Sequence, residues 1–240
     1  MSLLQLKNVS KHFGGVQALN DISFEVEKGT VVGLIGPNGA GKTTTFNLVT
    51  GFIVPDSGQI LLGDRLLNGL PPHDICHLGV SRTFQIVRPF GQMTVLQNVM
   101  VGALARTDRY SEAAREAYAL LDLVGLSSKA GLRAATLNVA ERRRLELARA
   151  LASKPHVLLL DEVMSGLNTT EVAAFVNLLR ALTVRGQTVL FIEHVMGAVL
   201  TISDRIVVLD HGVKIAEGIP KDVVRNEAVI EAYLGTATLA

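Results

Sequence analysis

Cysteine is almost missing: Cys76 is the only one in 240 residues, so no internal disulfide can form and a reducing cytoplasm is the expected compartment. An excess of charge of either sign is missing too. The 23 Lys and Arg residues offset 22 Asp and Glu, for a net of +1, and a chain that neutral has no global field to attract nucleic acid or anionic lipid. No run of about 18 apolar residues passes without a polar or charged interruption, so the chain is not expected to span a bilayer, and any membrane contact must go through a protein. Residues Met1 to Phe13 lack the basic head and apolar stretch of a signal peptide. Internal repeats and low-complexity segments are absent as well.

What is present is apolar. At 48% hydrophobic residues the chain can bury a sizeable core and disorder is excluded. The surplus reads as buried parallel strands plus a surface that docks onto something apolar. Leu4–Lys7 and Ile22–Val26 alternate apolar with polar residues, predicting half-buried antiparallel strands. Val31–Ile35, Val157–Leu160, Thr188–Ile192 and Ile206–Leu209 are unbroken apolar runs, predicting a parallel sheet covered on both faces. Helical patterns over Ser111–Val124, Glu141–Ser153 and Thr169–Arg185 alternate with these runs, which makes the class α/β. Between about Gln85 and Pro155 there is almost no strand signal. One domain over residues 1–240 is therefore expected, with residues 1–84 and 156–240 forming the core and residues 85–155 an inserted helical subdomain. Asp210-His211-Gly212 reads as the turn of a last hairpin, and Lys221–Leu234 as two short closing helices.

The strongest chemical signal is Gly36-Pro37-Asn38-Gly39-Ala40-Gly41-Lys42-Thr43, followed by Thr44, placed between a buried strand and a helix over Lys42–Thr50. That is a phosphate-binding P-loop in its proper context. Its glycines let successive N–H groups turn inward at a helix N-terminus, where Lys42 adds a point charge to the β- and γ-phosphates. The Thr43 hydroxyl is an expected Mg²⁺ ligand. Asp161, at the tip of the next apolar strand, is placed to reach the same Mg²⁺, usually through water. Glu162 beside it can polarise a water for attack, a general-base role worth ~10²–10⁴ in rate. A third strand ends in Glu193-His194, which brings His194 to the nucleotide side of the sheet. A histidine there, read alone, is more often a structural hydrogen-bonder.

These motifs, with Thr83-Phe84-Gln85, Leu137-Asn138-Val139-Ala140-Glu141 and Ser165-Gly166-Leu167-Asn168, resemble the ATPases of ABC transporters in order and spacing over nearly the whole chain. Lys42 and Asp161 are 119 positions apart (161 − 42), which leaves no room for the long coiled-coil arm of chromosome-maintenance relatives. The resemblance implies a P-loop NTPase of the ABC ATPase fold, with a mixed sheet core, an N-terminal antiparallel β-layer and the inserted helical subdomain. It implies ATP and Mg²⁺ as cofactors. Phe13 is to stack on adenine, Gln85 to sense Mg²⁺ and the attacking water, and His194 to act as the switch histidine. Leu137–Glu141 are the signature motif and Ser165–Asn168 the D-loop.

Ser81–Phe90, Met93-Thr94-Val95, Arg143–Arg149, Gly166-Leu167-Asn168 and Ala232-Tyr233-Leu234-Gly235 further resemble the LivG-type ATPases of branched-chain amino-acid importers. That subgroup implies a second, different ATPase subunit, two membrane permease subunits and a periplasmic or extracellular solute-binding protein, with this chain on the cytoplasmic face of the plasma membrane. Its relatives also serve urea, amides and aromatic acids. A lipopolysaccharide-export ATPase, similar in length and in its Glu141–Arg144 tract, fits less well at the Gln85 flank and at Asn168. A soluble ABC protein acting on ribosomes or DNA would want tandem cassettes, a charged linker or a coiled-coil arm. A regulatory module that hardly hydrolyses is opposed by Glu162 and His194.

Two departures stand out. The common signature Leu-Ser-Gly-Gly-Gln has become Leu137-Asn138-Val139-Ala140-Glu141, losing a hydroxyl and a glycine that permits close approach. The resemblance implies that each ATP lies between one subunit's P-loop and the other's signature. An asymmetric dimer is therefore expected, in which the site completed by Asn138–Glu141 hydrolyses poorly; the alternative is tolerated variation with two working sites. Val163 replaces the usual Pro after the catalytic Glu and is expected to loosen it. His73, Cys76 and His77 are read as incidental rather than metal ligands, Arg142-Arg143-Arg144 as a solvated helix face, and Gly14-Gly15 as a turn.

Overall fold

The structure, a computed structural model, describes residues 2–234; Gly235 of the terminal Ala-Tyr-Leu-Gly motif and the Met1 start lie outside them. The strands are β1 (Ser2–Phe13), β2 (Val16–Glu27), β3 (Val31–Ile35), β4 (Ser57–Leu62), β5 (Arg65–Leu66), β6 (Val80–Arg82), β7 (Val157–Asp161), β8 (Thr188–Ile192), β9 (Arg205–Asp210) and β10 (Val213–Gly218). The helices are α1 (Lys42–Val49), α2 (Pro72–His77), α3 (Val95–Leu104), α4 (Tyr110–Leu123), α5 (Val139–Ala152), α6 (Thr169–Val184), α7 (Met196–Ile202), α8 (Pro220–Val223) and α9 (Glu227–Leu234).

An antiparallel sheet in the order β2-β1-β4-β5 lies against a six-stranded sheet in the order β10-β9-β3-β8-β7-β6. The latter is parallel from β9 to β6, with β10 antiparallel at its edge. The unbroken apolar runs divide between two cores with the period of two that a strand imposes. Val32, Leu34, Val157, Leu159, Leu190, Ile192, Val207 and Leu209 face the antiparallel sheet and α1. Their neighbours Val31, Ile35, Leu158, Leu160, Val189, Phe191, Ile206 and Val208 face α5, α6 and α7.

Among the described residues, 83–156 contain no strand, and α3, α4 and α5 close a third core of their own. Helix α5 is shared: Leu147 and Leu151 pack on the sheet while Leu145 and Ala148 pack on α3 and α4. Gly102 makes the α3 contact possible, since a Cβ there would sit 2.3 Å from the Arg149 carbonyl oxygen.

Sequence patterning misses β4, β5, β6, α2, α3 and α7. β6 has only three residues and ends in Ser81-Arg82, too short to show a period. α3 is apolar at eight of its ten positions, with Gln97 and Asn98 the exceptions, so it shows no clear amphipathic stripe, although Thr94 and Gln97 form a complete capping box at its start. The hairpin turn at His211-Gly212 has positive φ at both residues, 45° and 76°, as a two-residue turn between right-twisted strands requires.

Candidate nucleotide site

Parallel pairing brings the C-terminal ends of β3, β7 and β8 to one edge, with Leu34 and Asp161 both opposite Ile192. Gly36, Glu162 and His194 therefore emerge side by side, at the edge where open α/β sheets place their ligands. Only glycine fits at position 36, because a Cβ would stand 2.0 Å from the Leu209 carbonyl oxygen. Lys42 is buried, and its ammonium donates to the carbonyl oxygens of Gly36 and Pro37, each at 2.7 Å, holding the loop in its curl.

A cavity of about 500 Å³ is lined by Asn38–Thr44, Gln85 and Glu162, together with Val16, Gln17, Ala18 and His211. The last four are invisible to motif reasoning, because they come from two hairpins that meet only in the folded chain. Phe13 is not among the cavity residues. It pairs with Val16 across the β1–β2 turn, is 49% exposed, and has the Lys11 ammonium 5.6 Å from its ring centre. It is a surface aromatic, not a core one.

Three separated motifs meet on Glu162. His194 Nε2 lies 2.7 Å from Glu162 Oε1, and Gln85 Nε2 donates to Glu162 Oε2 at 2.7 Å. The Glu162 backbone is left-handed, φ 48°, a costly conformation for a non-glycine residue that functional sites tend to store. It is held there by its N–H bond to the Ile192 carbonyl and by the Ser165 N–H on its own carbonyl. Val163 is buried in the sheet core beside it, so the loosening expected from the missing proline is opposed by packing.

Glu193 adds a second tie: its carboxylate accepts from the backbone N–H groups of Met164 (2.6 Å) and His194 (3.2 Å), joining the residue before the D-loop to the histidine. Burial pushes the Glu193 carboxyl up. The D-loop itself is exposed at Ser165, Gly166 and Asn168, and Asn168 caps α6 in a capping box with Glu171.

A second cavity, about 610 Å³, holds Asp161, Thr43 and Gln85, all three expected Mg²⁺ ligands, and continues onto Phe84, Ile86, Phe90 and Val101. Its oxygen donors suit a hard divalent cation. Phe84, Ile86 and Phe90 are exposed and form an apolar surface patch.

The basic tract is not a solvated face. Arg143 is buried and donates to the Gln85 carbonyl (2.7 Å), and Arg142 donates to the Leu137 and Ala135 carbonyls. Arg142 instead anchors the loop that leads into α5 and Arg143 the loop that carries Gln85, a use that three-in-a-row charge cannot reveal. Glu146, 3% exposed, accepts from the Phe84 N–H at 2.9 Å, while its Oε2 has no partner.

Burial pushes the Glu146 carboxyl up, so the folded chain holds that proton more tightly than the unfolded one. The associated stability is complete below the unfolded value and is lost as pH rises through the raised one. Glu146→Gln keeps an acceptor for Phe84 and removes the penalty. It is expected to gain ~1 kcal/mol near neutral pH, or ~2–4 °C in Tm, and nothing near pH 4. Equal Tm values at neutral pH would show that Arg143 and Arg149 already offset the charge.

The signature motif lines neither cavity. Asn138 caps α5: its Oδ1 accepts from the Glu141 N–H (2.9 Å) and Glu141 Oε2 accepts from the Asn138 N–H (3.1 Å), while Glu141 is also paired with Lys129. Ala140 is only 5% exposed, so its methyl is buried within the subunit instead of standing on the outer surface.

A P-loop under a parallel sheet edge, a carboxylate pair at the next strand tip and a helical insertion carrying a capped signature define a cassette-type ATPase. The comparisons agree. The family model described as ABC transporter matches residues 19–165, and a second, branched-chain amino acid ATP-binding cassette transporter, matches residues 213–238. The high-affinity branched-chain amino acid transport ATP-binding proteins LivG of Salmonella typhimurium and BraF of Pseudomonas aeruginosa are 41% and 42% identical, each alignment covering 98% of both chains. A solved ATP-binding cassette of an ABC transporter in its ADP conformation superposes with a TM-score of 0.89 at 31% identity, covering 98% of this chain and 99% of that one. This chain belongs to the ABC transporter family and is one of its ATP-binding, ATP-hydrolysing subunits. Among the described residues no helix is long and apolar enough to cross a membrane.

Proposed function

We propose that this chain powers the uptake of branched-chain amino acids, or of small solutes close to them, as one of two ATPase subunits beneath a pair of membrane permeases. A periplasmic or extracellular binding protein delivers the solute, and the chain works from the cytoplasmic face. The observation that carries this reading is full-length similarity to proteins named for branched-chain amino acid transport. The exposed Phe84, Ile86 and Phe90 beside Gln85 support a permease docking next to the catalytic loop.

In this reading Gly36–Thr44 hold the phosphates, and Phe13 stacks on the adenine. Thr43, Asp161 and Gln85 hold Mg²⁺, which neutralises charge on the transferring phosphate. Glu162 orients and deprotonates the attacking water, with Gln85 and His194 fixing its two oxygens. The helical subdomain, residues 85–155, carries movement between Gln85 and the signature. The second of the two signature readings is favoured, two working sites. The Ala140 methyl is turned inward, and capping occupies only the Asn138 carbonyl oxygen, so its NH₂ remains for a partner's γ-phosphate.

Affinity purification from detergent-solubilised membranes of the native host is expected to recover two polytopic membrane proteins and a second, distinct ATPase. Recovery with ribosomes or DNA would overturn the transport assignment. Phe13→Ala is expected to weaken ATP binding by roughly 5-fold or more, the low end of an aromatic–base stack. Calorimetric titration giving an unchanged Kd would remove Phe13 from the site.

A further inference from the structure

Arg82 ends β6, immediately before Thr83-Phe84-Gln85, and its side chain is 6% exposed. Its guanidinium reaches in two directions: Nη2 donates to Asp161 Oδ2 and Nη1 to Asn47 Oδ1 on α1, each at 2.6 Å. The head is held by two rings, 5.4 Å from the centre of Phe46 on α1 and 5.1 Å from that of Phe84 in the Gln85 loop. A planar fork clamped between aromatic faces has little freedom left, which a lysine could not reproduce. Arg82 also shares the second cavity with Thr43, Gln85 and Asp161.

A buried ion pair adds little net stability compared with apolar residues of the same volume. This one also leaves Arg82 Nε without a partner. Fold stability is therefore a weak reason for an arginine here, whereas orientation is a strong one. A carboxylate that grips a cation needs its second oxygen held, as partners behind metal ligands commonly do.

We propose that Arg82 is a positioning residue for the divalent cation of the nucleotide. By holding Asp161 Oδ2 it sets the direction of Oδ1, and through Asn47 and Phe84 it ties that setting to the P-loop helix and the Gln85 loop. Cation binding is thereby coupled to the position of the loop that lies beside the apolar surface patch. The inference rests on the reading of Thr43, Gln85 and Asp161 as the cation site.

The test is equilibrium binding of a fluorescent ATP analogue to the purified full chain, in EDTA and across a Mg²⁺ titration. For Arg82→Gln the Mg²⁺ concentration giving half of the affinity gain is expected to rise ~10-fold, the usual cost of losing a partner behind a metal ligand, with affinity in EDTA nearly unchanged. Arg82→Lys, with the charge but no fork, is expected to restore only part of the shift. Asn47→Ala, at a half-buried helix position, is expected to move the midpoint in the same direction by less. An unchanged Mg²⁺ midpoint with a lowered Tm would make the pair merely structural, and a lower midpoint would make Arg82 a competitor of the cation; either overturns the proposal. If Arg82→Gln does not fold, an unchanged midpoint in Asn47→Ala decides against it. A parent chain whose affinity ignores Mg²⁺ would overturn the cation site itself.

Discussion

Glu162→Gln leaves ATP binding near the parent value and lowers steady-state turnover by ~10²-fold or more. The geometry makes the two effects separable. Glu162 lies at the cavity wall with its oxygens facing two different groups, His194 Nε2 and Gln85 Nε2, each at 2.7 Å. Glutamine is nearly isosteric, so the cavity and the P-loop contacts of Lys42 are undisturbed. Yet it offers one oxygen and one NH₂. If the oxygen stays with Gln85, the NH₂ meets His194; if it stays with His194, two NH₂ groups confront each other across the Gln85 contact. Neither arrangement has a base for water. The measurement is phosphate release per assembled transporter beside equilibrium nucleotide binding, and turnover equal to the parent would sink the general-base assignment.

Lys42→Ala has the opposite signature: ATP affinity falls by ~10²-fold or more while the fold persists. Each charge-assisted contact to phosphate is worth roughly 1.5–3 kcal/mol, so losing one or two of them suffices. Burial pulls the Lys42 pKa down against the pull of Glu162 and Asp161. The folded chain thus holds this proton less tightly than the unfolded chain, and the penalty persists at neutral pH until pH rises towards the usual lysine value. Removing the ammonium relieves that penalty, although the Gly36 and Pro37 carbonyls lose their donor. Tm is accordingly expected to move by no more than about 4 °C, a net of ~1 kcal/mol. Fluorescent-nucleotide binding and thermal melting check both parts, and binding within a few-fold of the parent would show that the loop N–H groups alone hold the phosphates.

Much of this site is written in short motifs because its chemistry needs consecutive residues. The P-loop must place N–H groups in a row at the start of α1, and Asp161-Glu162 must share one strand tip, so local spacing identifies both. Arg82, Glu146, Glu193 and His211 carry no such mark. Glu193 matters because the Met164 N–H lies 2.6 Å away, and Arg143 matters because it donates to the Gln85 carbonyl at 2.7 Å. Neither contact exists along the chain, which is also why a basic tract reads as solvent-facing when one of its members is buried.

The short β6 and the apolar α3 were likewise hidden, since their conformations are set by the neighbours that cover them and not by a period of their own. The substitution at Ala140 shows the same limit from the other side. Sequence identifies an added methyl, but only packing shows that it points inward.

By itself the chain's sequence determined the class of fold, the P-loop, the strand-tip carboxylates and the histidine that follows β8, because strand periodicity and backbone geometry are local constraints. Tertiary structure decided that Glu162 is held from two sides by residues 77 and 32 positions away. It also decided that Asp161 shares its carboxylate with an arginine and that α5 serves two cores at once. Those arrangements depend on which side chains the parallel sheet carries to its edge, and only the folded chain brings such distant residues within hydrogen-bonding reach.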